Sequence, residues 1–241
     1  MKDLEKALKG FRVLAFIDLE GTQFSHEMIE IGAYKVYLKD DLTVKKVMKP
    51  YKTYVRAKSR IGHFVTELTG ITEQMLKDKG VVYRLALQGF KKYMGKDFEK
   101  ALFVTFGSHD KVIFQSSLEN NLDASKEDTL FILRHHFDFS AFLSRYIKDE
   151  HGNPYSLANY LKIFEVEFEG KAHDACADAE NLVSLYEAFL KKKDIVKAEY
   201  KKTVARMHHF PAPLLKVAQA LNEGKTVTPE EYDAYFDEVL K

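Results

Sequence analysis

The sequence predicts an α/β protein built on a mixed β-sheet, and three observations lead to this prediction. Three strand-like segments follow one another near the N-terminus, at residues 11–20, 28–38 and 43–58. From there helical and strand-like segments alternate, including a second apolar strand at 101–106. A long segment at 175–190 can bury an apolar stripe against the sheet. This order is typical of a mixed sheet covered by helices.

The composition fits a protein with one substantial core. The chain has 241 residues, of which 46% are hydrophobic, and no apolar run approaches the roughly 20 residues of a membrane span. The N-terminus carries mixed charge without the apolar region of a signal peptide. Cys176 is the single cysteine, which excludes an internal disulfide and fits a reducing compartment. We therefore expect a soluble, cytoplasmic protein with no membrane partner.

Charge is balanced overall and uneven locally. A formal net charge of +1 does not mark the chain as a nucleic-acid coating protein. Residues 42–66, however, hold seven basic side chains and no acidic one, and a second basic run extends from Lys191 to Arg206. Either run indicates a contact with a phosphate backbone or an ordinary solvated face.

Each element of the N-terminal half has its own signal. Residues 1–10 have the mixed charge of a short helix or arm, and Pro50 indicates a bulge or an edge within the third strand. Gly70 suits a helix C-terminus, whereas Thr72 and Ser108 suit N-caps. The three strands are expected to form an antiparallel meander. The helices after them are predicted at 61–68, 72–78, 81–94 and 109–120.

The segment from residue 121 onward is harder to interpret. A polar loop precedes residues 129–133 and a possible strand at 135–139. Ser140 and Ser156 are predicted to cap short helices that end at Ile147 and Phe164. Asp174 is predicted to cap the long helix 175–190.

The chain is predicted to divide near residue 190. Residues 1–190 form the main domain, and residues 191–241 form a helical C-terminal extension that could extend a nucleic-acid path, pack on the core or mediate self-association. The extension has a Lys-rich helix, a break at 208–213 and a helix near 214–222. Its last helix is capped by Thr228, with Pro229 at the first position.

The end of the first strand carries two acids. Asp18 and Glu20 are two residues apart, so their side chains project from the same face of the strand, roughly 6.5–7 Å apart along it. Carboxylates this close resist ionisation together, so one must hold a proton or a cation must lie between them. Mg²⁺ is a natural candidate because it binds carboxylate oxygens. The alternative is an ordinary strand end with solvated acids.

Three further residues suit the same site. Asp110 lies in the first turn of the helix that follows the second buried strand, and Asp178 lies on the stripe of helix 175–190 that should face the sheet. His173 precedes that helix and could reach the same cavity. Alternatively, Asp110 complements a helix dipole and His173 is a loop histidine. Together, four acids and a histidine suit two cations about 3.5–4 Å apart and a general base, as in phosphodiester hydrolysis.

This set resembles one known family. Asp18-x-Glu20-Gly-Thr22, then Asp110 after a strand, then His173-x4-Asp178 resembles the DEDDh class of 3′→5′ exonucleases, the DnaQ-like group. Residues 64–71 resemble the segment between the first two acidic motifs of that class. Residues 104–110 resemble the second motif of the KapD-like and histone-mRNA 3′-exonuclease-like branch, although Phe106 stands where that branch commonly has Trp. Val65 likewise stands where it often has Cys. The resemblance covers about residues 11–190.

The resemblance implies a fold, an activity and residue roles. The fold would be ribonuclease H-like, with a mixed five-stranded sheet flanked by helices. Asp18, Glu20, Asp110 and Asp178 would hold two Mg²⁺ or Mn²⁺ ions. His173 would be the general base, so that the catalytic group is His173, Asp18 and Glu20. Leu19, Thr22 and Leu68 would contact the terminal nucleotides, Thr22 near the 3′-hydroxyl and Leu68 as a wedge against the bases.

The expected function is a metal-dependent 3′→5′ exonuclease that acts on single-stranded 3′ ends and releases nucleoside 5′-monophosphates. RNA is the expected substrate over DNA, on the branch resemblance alone. One alternative is a haloacid-dehalogenase-type phosphatase, since Asp18-x-Glu20-x-Thr22 superficially fits its Asp-x-Asp-x-Thr strand end. Another is a non-catalytic nucleic-acid-binding module on a nuclease scaffold.

Overall fold

The strand β1 (Val13–Gly21) lies near the centre of a mixed sheet in the computed structural model, which describes residues 2–206 and 210–240. Within those ranges the sheet has seven strands in the order β5-β4-β2-β1-β6-β7, and β3 also pairs with β2. The other strands are β2 (Met28–Leu38), β3 (Val44–Val47), β4 (Tyr51–Arg56), β5 (Val81–Val82), β6 (Ala101–Thr105) and β7 (His136–Asp138).

The strand directions confirm the predicted mixed sheet. β1 and β4 both run antiparallel to β2, which gives the expected meander, whereas β6 runs parallel to β1 and β7 parallel to β6. The expected count of five strands is wrong. The segment 43–58 divides around Pro50, which cannot donate a ladder hydrogen bond, into β3 and β4. Residues 81–82 add the two-residue β5 instead of starting a helix.

The described residues form twelve α-helices. They are α1 (Lys2–Leu8), α2 (His63–Thr69), α3 (Glu73–Lys79), α4 (Tyr83–Met94), α5 (His109–Asn120), α6 (Lys126–Arg134), α7 (Phe139–Leu143), α8 (Leu157–Ile163), α9 (Ala175–Lys191), α10 (Lys193–Ala205), α11 (Ala212–Asn222) and α12 (Pro229–Leu240). No helix within the described ranges is both long and apolar enough to cross a membrane.

Most predicted helix ends are confirmed. Thr72 accepts a hydrogen bond from the Met75 N–H at 3.1 Å, and Gly70 adopts the left-handed conformation after α2. Ser108 holds the N-cap position of α5 without a side-chain cap bond. The prediction that Ser140 caps a helix to Ile147 is wrong. Asp138, two residues before Ser140, caps α7 instead, and this helix ends at Leu143.

The sheet separates two apolar clusters. Along β1 the side chains alternate, so that Leu14 and Phe16 pack beneath α9 while Ala15 and Ile17 face α4. The predicted stripe of α9 is buried in the first cluster, at Ala179, Leu182, Val183, Tyr186, Phe189 and Leu190. The same alternation places Asp18 and Glu20 on the α9 side of the sheet.

The C-terminal helices continue from α9. Ile195 and Val196 of α10 pack against the cluster beneath α9, and Tyr200 contacts Tyr146 edge-to-face with ring centroids 5.2 Å apart. The predicted cap of the last helix is confirmed, since Thr228 Oγ1 accepts from the Glu231 N–H at 3.2 Å. Two histidines of the predicted break, His208 and His209, lie outside the described residues. A domain boundary at residue 190 stays a prediction.

Candidate active site

The carboxyl end of β1 opens into a cleft of about 410 Å³. The five predicted metal-binding and catalytic residues, which come from three separate segments of the chain, all line it. They are Asp18, Glu20, Asp110, His173 and Asp178. β1 ends at the cleft, α5 begins beside it and the first turn of α9 closes it. The structure therefore brings together residues that are up to 160 positions apart.

Burial and mutual repulsion dominate the electrostatics of this cleft. Desolvation raises the pKa of Asp18 well above its usual value, and the neighbouring charges of Asp110, Asp178 and Glu20 raise it further. Desolvation, followed by the charge of Asp178, raises the pKa of Glu20 to about 8. At neutral pH Glu20 therefore retains its proton unless a cation replaces it.

Asp110 is the most deeply buried of the four predicted ligands. Only 6% of its surface is exposed, and desolvation raises its pKa to about 7. Hydrogen bonds from the backbone of Asp110 itself and of Leu19 oppose that rise. The first turn of α5 thus directs a carboxyl group toward the end of β1, where its charge adds to that of Asp18.

His173 and Asp178 approach Glu20 from the other side of the cleft. One donor atom from each of the three residues lies within 4.8 Å of the other two. His173 has a left-handed backbone, with φ at 63°, and its N–H donates to Asp178 Oδ2 at 2.9 Å. Desolvation raises the pKa of the Asp178 carboxyl, and this hydrogen bond lowers it. The loop before α9 is thereby tied to the helix that carries Asp178.

The donor set fits divalent cations. Carboxylate oxygens and a neutral imidazole nitrogen are ligands that such ions accept. Burial, and after it the charges of neighbouring acids, raises the pKa values of Asp18, Glu20 and Asp110, and a bound cation would offset both effects by stabilising the ionised carboxylates. The geometry therefore allows this cluster to hold a metal ion.

The predicted substrate-binding residues occupy different surroundings. Leu19 also lines the cleft, although its side chain is only 6% exposed and packs in the apolar cluster facing α4. Thr22 is buried in the turn after β1, where its Oγ1 is 2.7 Å from Ser25 Oγ and accepts from the Glu27 N–H at 2.9 Å. A contact between Thr22 and a 3′-hydroxyl stays a prediction, and it would compete with these bonds.

Leu68 lies on the exposed side of α2, outside the cleft. Lys171 Nζ donates to the Thr69 carbonyl at 3.1 Å, which links the end of α2 to the loop that carries His173. Phe64, one turn earlier on α2, is 61% exposed. The wedge role of Leu68 stays a prediction, and its position beside the His173 loop is compatible with it.

Sequence reasoning missed an exposed aromatic residue near the end of β1 and two residues that line the cleft. Phe24, in the turn after β1, is 81% exposed, although a phenylalanine so close to the two acids could have been noticed. His109 precedes Asp110 and lines the cleft, where burial and then the charge of His26 lower the pKa of its ring. Leu157, in the first turn of α8, also lines the cleft. No local signal places α8 there, because its position depends on long-range packing.

Comparison with known proteins now decides the family. The family model described as Exonuclease (RNase_T) matches residues 15–186, which is most of the chain and includes all five residues. This chain belongs to the exonuclease family. Membership of this family argues against the alternative of a haloacid-dehalogenase-type phosphatase.

A curated relative of this exonuclease-family chain is the PolC-type DNA polymerase III of Caldanaerobacter subterraneus subsp. tengcongensis. It is 29% identical over 188 residues, which cover 76% of this chain and 12% of the polymerase. The chain thus spans about an eighth of the length of that relative.

Two solved structures illustrate the fold likeness. The nuclease domain of 3′hExo, a DEDDh family member bound to rAMP, has a TM-score of 0.59 at 19% identity and covers 76% of this chain and 94% of its own. Exonuclease I of E. coli, in complex with a dT13 oligonucleotide, has a TM-score of 0.59 at 14% identity and covers 81% and 44%. The fold is the ribonuclease H-like fold of exonucleases.

Proposed function

We propose that this exonuclease-family protein is a DEDDh-type 3′→5′ exonuclease that releases nucleoside 5′-monophosphates from single-stranded 3′ ends. The observation that carries the proposal is the convergence of four acids and His173 along one cleft. RNA is the proposed substrate over DNA. This preference rests on the resemblance of residues 104–110 to the KapD-like and histone-mRNA 3′-exonuclease-like branch.

The four acids Asp18, Glu20, Asp110 and Asp178 would hold two Mg²⁺ or Mn²⁺ ions. When bound, such ions activate a water and stabilise the leaving oxygen of a phosphodiester. His173 is the proposed general base, which takes the proton of the attacking water. Its backbone bond to Asp178 supports this role, because it holds the imidazole beside the acids.

Exposed apolar side chains provide a path for the bases. Phe24 follows β1, and Phe64 and Leu68 lie on α2. The two segments are joined by a hydrogen bond of 2.8 Å from the Gln23 N–H to the Ile61 carbonyl. Stacking on such side chains tolerates many base sequences. We propose that the last bases of the strand stack against this surface.

A basic pocket beside α3 provides a path for the phosphates. It has a volume of about 250 Å³, and its lining includes Arg56, Lys58, Arg60 and Lys77. Glu73 also lines it, but its Oε1 accepts from the Ile61 N–H at 2.8 Å. The pocket lies on the basic segment 42–66, so the proposed strand would run from the pocket past α2 into the cleft.

Degradation of end-labelled oligonucleotides tests the proposal. Matched RNA and DNA single strands labelled at the 5′ end should shorten one nucleotide at a time with Mg²⁺, RNA faster, and chromatography should detect 5′-monophosphates. Asp18→Asn should abolish the reaction, whereas Asp123→Asn, at an exposed carboxylate paired with Arg84, should not. Internal cleavage, release of inorganic phosphate, or full activity of Asp18→Asn would contradict it. Metal binding without turnover would favour a binding module.

Self-association through the C-terminal extension stays a prediction. An apolar groove of about 320 Å³ between α10 and α11 is the place to test it, since Tyr200, Val204 and Leu221 line it. Light scattering should show a lower mass for Leu221→Asp than for the parent. Leu122→Asp, at a side chain that is 90% exposed outside the groove, is the control. Equal masses for all three proteins would contradict the prediction.

A further inference from the structure

Three register partners form a row across the sheet beside the cleft. Asp18 of β1 lies opposite Gly32 of β2, and Gly32 lies opposite Lys52 of β4. Gly32 has no side chain, and the first turn of α9 occupies the space above it. A Cβ on Gly32 would collide with the backbone of Ala175 and Cys176. The start of α9 therefore rests on the sheet between Asp18 and Lys52.

Two acids receive the N–H groups at the start of α9. Glu30, the register partner of Glu20, accepts from the Ala175 N–H through Oε2 at 3.0 Å. Asp174 accepts from the N–H groups of Cys176 and Ala177, both at 3.1 Å. These acids satisfy donors that a helix N-terminus otherwise leaves without partners.

Lys52 joins these two acids. Its Nζ lies 3.1 Å from Glu30 Oε1 and also pairs with Asp174. Glu30 Oε1 is a buried oxygen, and this ion pair with Lys52 compensates its charge. The Glu30 side chain is only 2% exposed, whereas that of Lys52 is 30% exposed. Although Lys52 belongs to the basic segment 42–66, its ammonium is thus occupied within the protein.

We propose that Glu30, Gly32 and Lys52 are positioning residues, which seat the first turn of α9 so that the cluster of acids can bind cations. That turn carries Asp178, and the loop before it carries His173. Both must meet Glu20 across the cleft, and the contacts of Glu30 and Lys52 fix the first turn of α9 to β2 and β4. A longer contact, from Cys176 Sγ to the Tyr34 hydroxyl at 3.9 Å, also joins this turn to β2. The inference uses only the cation-binding part of the proposed function.

The sign of the effect separates positioning from simple electrostatics. Removal of the Lys52 charge leaves Glu30 and Asp174 uncompensated close to the site. By Coulomb's law alone this change attracts cations and tightens their binding. If Lys52 holds the first turn of α9 in place, loss of its charge displaces Asp178 and weakens cation binding. The Glu30→Gln variant cannot distinguish positioning from electrostatics, because both explanations predict weaker cation binding when this negative charge is lost.

Mn²⁺ titration of the full chain by calorimetry tests the inference. Lys52→Met should raise the Mn²⁺ dissociation constant roughly 10- to 100-fold, the usual effect of losing a residue that orients metal ligands. Lys52→Arg should restore most of the affinity. Gly32→Ala disturbs the same contact with the first turn of α9 without a change of charge, and it should weaken Mn²⁺ binding at least as much as Lys52→Met. Should Gly32→Ala fail to fold, the two Lys52 variants decide.

Lys35→Met is the matched control. Lys35 lies on β2 and forms a buried ion pair, with its Nζ 3.2 Å from Asp97 Oδ2 and side-chain exposures of 10% and 12%. Its loss should lower the melting temperature and leave Mn²⁺ affinity unchanged. Tighter or equal Mn²⁺ binding by Lys52→Met, an equal loss in Lys35→Met, or a parent protein that binds no Mn²⁺ would overturn the inference. A parent that binds Mn²⁺ but degrades no oligonucleotide would overturn only the exonuclease proposal.

Discussion

The backbone N–H of His173 donates a hydrogen bond of 2.9 Å to Oδ2 of Asp178. A proposed general base and a proposed metal ligand are thus held in one local structure. The bond uses the backbone of His173, so the imidazole remains available to the cleft. Replacing the ring should therefore remove proton transfer while leaving the ligand in place.

His173→Ala should lower kcat by about 10²- to 10⁴-fold, the usual contribution of a general base. The variant should still fold and bind Mn²⁺, because the four acids remain. Single-turnover kinetics on a labelled oligonucleotide, with calorimetry for Mn²⁺, measures both effects. His151→Ala, at an exposed histidine in another turn, should leave kcat unchanged. A kcat for His173→Ala within threefold of the parent would exclude this role.

The acids of the cleft should make the cation-free protein less stable as the pH rises. The pKa of Glu20 is raised from 4.5 to about 8, and that of Asp110 from 3.8 to about 7. Between these values the folded state binds more protons than the unfolded state, so a higher pH favours unfolding. The loss of stability should extend from about pH 4 to about pH 8, and Mg²⁺ should reverse it by binding the ionised acids.

Thermal unfolding in EDTA measures this pH effect. The melting temperature should fall between about pH 5 and about pH 8, and less steeply in Asp18→Asn, which lacks one of the titrating groups. With Mg²⁺ in excess the parent should regain stability at the higher pH, whereas Asp18→Asn should gain little. A melting temperature that rises over this range in EDTA would contradict the raised pKa values.

Phe24 should contribute to binding by stacking. Phe24→Ala should weaken binding of a single-stranded oligonucleotide roughly 5- to 150-fold, since one base–aromatic stack contributes about 1–3 kcal/mol. Fluorescence anisotropy in the Asp18→Asn background measures affinity without degradation. Leu122→Ala is the control, because Leu122 is 90% exposed and lies outside the cleft. Equal affinities for the two variants would remove Phe24 from the proposed path.

Features set by nearby residues could be predicted from the sequence. The caps at Thr72 and Asp174 and the left-handed Gly70 depend on a few adjacent residues, and the structure has all three. The five residues of the cleft were predicted together because strand ends and helix starts meet at one edge of a sheet. Asp110 is buried, with a raised pKa, because the start of α5 lies against the end of β1 at this edge.

Features set by distant partners could not be predicted. Lys52 pairs with Asp174, which is 122 residues away, whereas its place in a basic segment indicated a phosphate contact or a solvated face. The split of residues 43–58 into two strands depends on how both halves pair with β2.

The basic pocket beside α3 should determine how strongly binding depends on salt. Each phosphate contact on a single strand contributes about 0.7 to the slope of log K against log salt concentration. Arg60→Gln with Lys77→Gln should therefore reduce that slope by about 1.4. Lys9→Gln with Lys100→Gln is the control, because these residues line a pocket with Val13, at the opposite end of β1 from Asp18. The slope of the control should equal that of the parent. Equal changes in both double variants would indicate non-specific attraction and exclude a defined path through the pocket.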